Sequence, residues 1–140
     1  MLNRTTAFIS IAMLAVLLSA CKKEPPKCSD KETLTLVRSI ILGQIGGAGN
    51  LNEKEIEETV KLEHPRASAY DDKIGKYSCE ATLFFANAWR LPTIKYESQL
   101  DDAKKHIVAV GGFLRGDLWR FASALQEVKE KKAMEAEEND

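Results

Sequence analysis

Between Tyr77 and Phe85 the chain alternates: Tyr77, Cys79, Ala81, Leu83 and Phe85 are interleaved with the polar Ser78, Glu80 and Thr82. A period of two residues sends the first set to one side of a pleated strand and the second set to the other. This run therefore predicts a strand with one buried face, which a lone strand cannot satisfy. Partners follow on both sides. Val60, Leu62 and His64 alternate with Lys61 and Glu63, and the run continues past Pro65 to Tyr70. Pro65 cannot donate to a ladder, so this strand is expected at a sheet edge. Ile94, Tyr96, Ser98 and Leu100 alternate with Thr93, Lys95, Glu97 and Gln99, and His106 to Phe113 forms a fourth candidate. Asp71-Asp72-Lys73-Ile74-Gly75 and Asp101 to Lys105 are polar turns, whereas Ala86 to Pro92, with Trp89, is a longer connection. Short connections imply antiparallel neighbours.

Helical signals flank this block. Ser29 with Glu32 three residues on matches a capping box. Leu34, Val37, Ile41 and Ile45 follow at helical spacing, broadened by Leu36 and Ile40, and Gly46-Gly47 stops the run. Asn52 can cap a short acidic turn from Glu53 to Glu58. After Gly116, Asp117 is a candidate cap for a helix carrying Leu118, Phe121, Ala122, Leu125 and Val128. From Lys129 onward no apolar face remains, so residues 129–140 are expected to leave the fold as a charged, disordered tail. The expected class is α+β: an N-terminal helix, a four-stranded antiparallel meander sheet and a C-terminal helix in one domain, residues 28–128.

The start of the chain has a different character. Arg4 precedes a run from Ala7 to Leu18 that is apolar apart from Ser10. A dozen apolar residues suit the core of a secretion signal and fall short of the roughly 20 that span a bilayer. The run closes with Leu18-Ser19-Ala20-Cys21. That ending resembles the lipobox of bacterial lipoproteins. The resemblance implies that residues 1–20 are a signal peptide and that the Cys21 thiol takes a diacylglycerol, followed by N-acylation, for example with palmitate. The alternative is an ordinary signal peptide cut before a cysteine. Lys22 in place of the aspartate associated with inner-membrane retention implies a place on the outer membrane, facing the periplasm. Residues 21–27 would then be the tether, stiffened by Pro25 and Pro26 and reaching roughly 20 Å at most. The stretch Tyr77 to Leu83, with Ile94-Lys95-Tyr96 after it, resembles small uncharacterised proteobacterial lipoproteins and brings no catalytic residue with it.

The chain has 140 residues and three cysteines. With Cys21 lipidated, Cys28 and Cys79 form an even pair in an exported protein, which reads as a disulfide. Closing a loop of that length stabilises by about 3–4 kcal/mol on chain-entropy grounds. Free thiols or a Cys-His nucleophilic pair are the alternatives, with no catalytic signature around Cys79 to support the second. Setting aside the leader with its single basic residue, Arg4, leaves 19 basic against 21 acidic residues. That balance provides no basic excess for nucleic acid.

Chemistry is sparse. His64 and His106 fall on or beside strands, where half-exposed sheet positions are expected, and they have no metal-ligand spacing. The pairs Asp71-Asp72 and Asp101-Asp102 suggest acid–base work, but aspartate is equally favoured in turns. Gly46-Gly47-Ala48-Gly49 ends a helix where a phosphate loop would begin one, and Arg115-Gly116-Asp117 coincides with a helix start. Trp89, Tyr96, Phe113 and Trp119 are expected mainly in the core, with Trp89 alternatively an exposed anchor. No catalytic residue, metal ligand or cofactor is assigned. The expected function is a non-enzymatic binding module, with an inhibitor or immunity protein as its sharper form, held to the membrane by covalent lipid with a protein partner in the cell envelope. The alternative is a structural accessory of a secretion or conjugation machine, and a small hydrolase using His106 or the Asp pairs is a third reading.

Overall fold

A computed structural model describes residues 23–138. Residues 1–22, which hold the expected signal peptide 1–20 and the lipidation candidate Cys21, and the last two residues lie outside the described residues. The order is α1 (Lys31–Gly43), α2 (Glu53–Thr59), β1 (Val60–Asp71), β2 (Lys76–Phe85), β3 (Trp89–Leu100), β4 (His106–Gly111) and α3 (Arg115–Glu138). The strands form one antiparallel sheet in the order β1-β2-β3-β4, the expected meander. The mixed α+β class and the helices on either side of the sheet segment are as the sequence predicts.

The alternation in β2 sets the packing. Cys79, Ala81, Leu83 and Phe85 are buried, as are Ile94, Tyr96 and Ser98 of β3 and Val60 and Leu62 of β1. Val37, Ile41 and Leu42 of α1 and Phe121, Ala124 and Leu125 of α3 complete this core. Phe85 stacks on Phe121 with ring centroids 4.6 Å apart, and Phe113 meets Phe121 edge-on at 6.1 Å. Such aromatic pairs add about 0.5–1.5 kcal/mol beyond their buried area. The intervening positions, Glu80, Lys95 and Glu97 among them, remain at least partly exposed, as expected for an antiparallel sheet covered on one face.

Pro65 lies in edge strand β1, where the register shifts between Glu63 and Arg66 and His64 takes φ +53°. The bulge absorbs the missing donor. The expected long connection 86–92 is instead a tight turn of Ala86, Asn87 and Ala88, with Ala86 and Asn87 left-handed (φ +48° and +55°), and β3 begins at Trp89. Pro92 is tolerated inside β3 because β4 ends at Gly111 opposite Lys95, so no strand on that side requires its N–H. β4 correspondingly stops at Gly111, two residues before the expected end.

The helices also differ at their ends. The N-cap of α1 is Asp30 rather than Ser29, and no side-chain cap bond forms. The Asp30 carboxylate accepts from the Lys27 N–H at 2.8 Å, and Glu32, the expected box partner, is drawn to His106 at 3.0 Å. A capping box is instead present at α2, between Asn52 and Glu55. Gly46 and Gly47, at φ +105° and +78°, end the first helical segment, with the Gly47 N–H on the Leu42 carbonyl at 2.7 Å.

The expected disordered tail from residue 129 is a correction: α3 continues to Glu138. Lys129 donates to the Gly47 carbonyl at 2.9 Å, and Lys132 donates to the Asn50 carbonyl at 2.7 Å and to Glu55 at 2.6 Å. Cations three apart share a helix face, and here that face is bound to the loop between α1 and α2. The Lys132 hydrogen bond, followed by the Asn52 backbone N–H, holds the Glu55 carboxyl below its ordinary range.

One buried group is poorly served. Thr33, on the core side of α1, is fully buried and its hydroxyl has no hydrogen-bond partner. An unsatisfied buried hydroxyl costs about 1–3 kcal/mol, and an isosteric apolar group removes that cost. Thr33→Val is expected to raise the denaturation midpoint by the equivalent of roughly 1 kcal/mol, as read by chemical denaturation; a lower midpoint would contradict it.

Candidate functional site

The most densely connected polar cluster lies where the N-terminal segment meets the sheet. Cys28 and Cys79 form the expected disulfide, with Cα atoms 5.6 Å apart and 51 residues between them in sequence. The bond fixes the segment before α1 over the middle of β2. Tyr96, opposite Cys79 in the ladder, donates its hydroxyl to the Cys28 carbonyl at 2.8 Å. Two residues along β3, Ser98 Oγ donates to the Pro26 carbonyl at 2.6 Å. Pro25 is buried, and its Cδ lies 4.0 Å from where a Cβ on Gly75 would sit. Lys23 donates to the Lys104 carbonyl at 3.4 Å. Residues 23–28 are thus laid across the sheet, and the stiff, free spacer expected from the prolines is shorter than the sequence suggests.

His106 completes the cluster. Its side chain is only 6 % exposed, which corrects the half-exposed expectation. Nε2 lies 2.8 Å from Ser98 Oγ and Nδ1 lies 3.0 Å from Glu32 Oε1. Ser98 has one hydroxyl proton, directed at Pro26, so its oxygen accepts from Nε2–H. Glu32 as a carboxylate offers no proton, so Nδ1–H must donate to it. Sequence reasoning singled out His106 but missed Ser98 and Glu32. Ser98 read as the polar member of an alternating strand, and Glu32 read as a cap.

A serine, a histidine and a carboxylate in line have the connectivity of an acyl-transfer triad. Here Ser98 is fully buried and its proton is committed to a backbone carbonyl. The serine is therefore shielded from solvent, and the arrangement acts as a latch on residues 23–28.

The other candidates are dispersed. His64 is exposed in the bulge of one edge strand, while His106 starts the opposite edge strand. Asp71 accepts from the N–H groups of Lys73 and Ile74 at 3.0 and 3.4 Å, and Asp101 accepts from Lys105 N–H at 2.8 Å, so both carboxylates serve their own turns. Asp117 accepts from Leu114 N–H at 2.9 Å at the start of α3. Among the described residues no group of three His, Cys, Asp or Glu is placed to hold a metal ion.

A second feature occupies the opposite end of the molecule. Trp119 and Leu114 are 73 % and 74 % exposed, and Trp89 is 40 % exposed. Trp119, expected in the core, is therefore a correction, and Trp89 takes the exposed one of its two expected places. Arg120 lies over the Trp89 ring at 5.1 Å. Trp119 joins two shallow depressions, one with Trp89, Arg120 and Ala88, the other with Ile45, Arg115 and Leu118.

Burial raises the Tyr96 phenol to about 12 from 10.0. A raised value means the folded state holds the proton more tightly, so this stabilisation is complete below pH 10 and is lost as pH rises toward 12. Denaturation midpoints are expected to fall across that interval, with phenolate absorbance rising in parallel; in Tyr96→Phe this component of the pH dependence should vanish. No protein-family model, curated protein or solved structure matches the chain.

Proposed function

We propose that this chain is a lipid-anchored periplasmic lipoprotein of the outer membrane, attached through Cys21, whose domain is a non-enzymatic binding module for an envelope protein. The supporting observation is the exposed Trp119–Trp89 surface at the far end from the N-terminal segment. Exposed tryptophan beside arginine is the composition of interface hot spots. Arg115 and Arg120 border the aromatics, with Glu127 the one acidic residue in the two depressions. The complementary partner surface carries an apolar knob or groove with an acidic rim. An inhibitor or immunity protein that blocks an incoming envelope enzyme uses such a rigid, membrane-held face.

Two experiments test the parts separately. Cys21→Ser is expected to give an unprocessed or soluble, unlipidated product; a processed form that still partitions into detergent would refute the anchor. A photocrosslinking residue at Trp119 in growing cells should give a discrete adduct with one envelope protein, and one at Lys95 on the open sheet face should not. Equal yields at both positions, or no adduct at Trp119, would rule out the binding face.

A further inference from the structure

The two ends of the sheet differ in a way that bears on how the domain sits on its membrane. The turns 72–75 and 101–105 lie at one end, and the turn 86–88 lies at the other. β2 has 10 residues, so the ends are about 30 Å apart. The N-terminal segment crosses the first end: Lys23 on Lys104, Pro25 against Gly75 and Pro26 on Ser98. Only Lys22 separates Lys23 from Cys21, a reach of about 7 Å between Cα atoms.

We propose that this end of the sheet is a membrane-contact surface, with Ile74 and Tyr70 seated in the lipid interface. The proposal rests on the reading of Cys21 as the lipidated residue. With acyl chains on Cys21 and Lys23 fastened to Lys104, the two turns have no room to stand away from the headgroups. Their composition fits that position. Ile74 at the tip of the first turn is 59 % exposed, and Tyr70 beside it is 41 % exposed with its ring on Tyr77 at 4.5 Å. An exposed aliphatic tip beside an amphipathic aromatic suits the boundary between headgroups and acyl chains.

Charge does not dominate this contact. The four lysines Lys23, Lys73, Lys104 and Lys105 stand beside five carboxylates, Glu24, Asp71, Asp72, Asp101 and Asp102, so no basic excess is present among them. The surface is therefore suited to zwitterionic lipid as well as anionic lipid, and its seating is expected to be insensitive to salt.

The native tryptophans provide the control, because Trp89 lies at the other end of the sheet and Trp119 shares a depression with it. The full-length lipidated protein is reconstituted into phosphatidylcholine vesicles with or without brominated acyl chains, which quench nearby indoles. Wild-type emission is expected to be nearly equal in the two. Ile74→Trp should add emission that is mostly lost in the brominated vesicles, and Tyr70→Trp provides a second reporter of the same surface. Protein that floats with the vesicles while both added tryptophans stay unquenched would overturn the contact and leave the anchor standing. Protein that does not float would overturn the anchor and the contact with it.

Discussion

The disulfide between Cys28 and Cys79 joins the start of α1 to the middle of β2, and much of the remaining geometry depends on that join. It places the Cys28 carbonyl within reach of Tyr96 and brings Pro26 over Ser98. It also sets the start of α1 beside β4, so that Glu32 meets His106. A loop of about 50 residues closed in the unfolded chain removes entropy worth about 4 kcal/mol. Its second effect is local: an N-terminal segment that would otherwise fray is held against the sheet over six residues, 23–28. The polar latch runs from the buried Ser98 hydroxyl through the nearly buried His106 ring to the exposed Glu32 carboxylate.

This join gives the molecule a direction. α1 runs from the latch to Gly43, with Ile45 just past its end beside Trp119, and its 13 residues cover about 20 Å. The sheet covers about 30 Å from Gly75 to the turn at Ala86. One end therefore receives the N-terminal segment and the other presents aromatic surface. In the proposed lipoprotein, the first end faces lipid and the second faces the periplasm. A short tether then serves to orient the domain as much as to retain it.

Several departures from the sequence reading share one physical origin, the satisfaction of a local group by a distant one. Glu32 was placed to cap α1, but a buried imidazole competes for it. Residues 129–138 have no apolar stripe, yet Lys129 and Lys132 bind carbonyls of the α1–α2 loop, more than 80 residues away in sequence. Periodicity of apolar residues cannot register a helix held by its cations. Pro92 suggested a break, but β4 is too short to demand its N–H. Trp119 is expected inside as a large aromatic, but it lies off the stripe of Leu118, Phe121 and Leu125 that α3 turns to the core, and so faces outward.

The sequence by itself determined the meander, its turns, the covered face of β2, the edge position of Pro65 and the pairing of Cys28 with Cys79. Each of these is encoded locally: a period of two, a missing donor, turn aspartates, or an even pair of thiols. Tertiary structure decided which polar groups meet. Ser98, His106 and Glu32 lie on three separate elements, and the order in which those elements pack has no local signature. The exposure of Trp119 and the docking of residues 23–28 were decided there too, because both depend on the surface left once the core around Phe85, Tyr96 and Phe121 has closed.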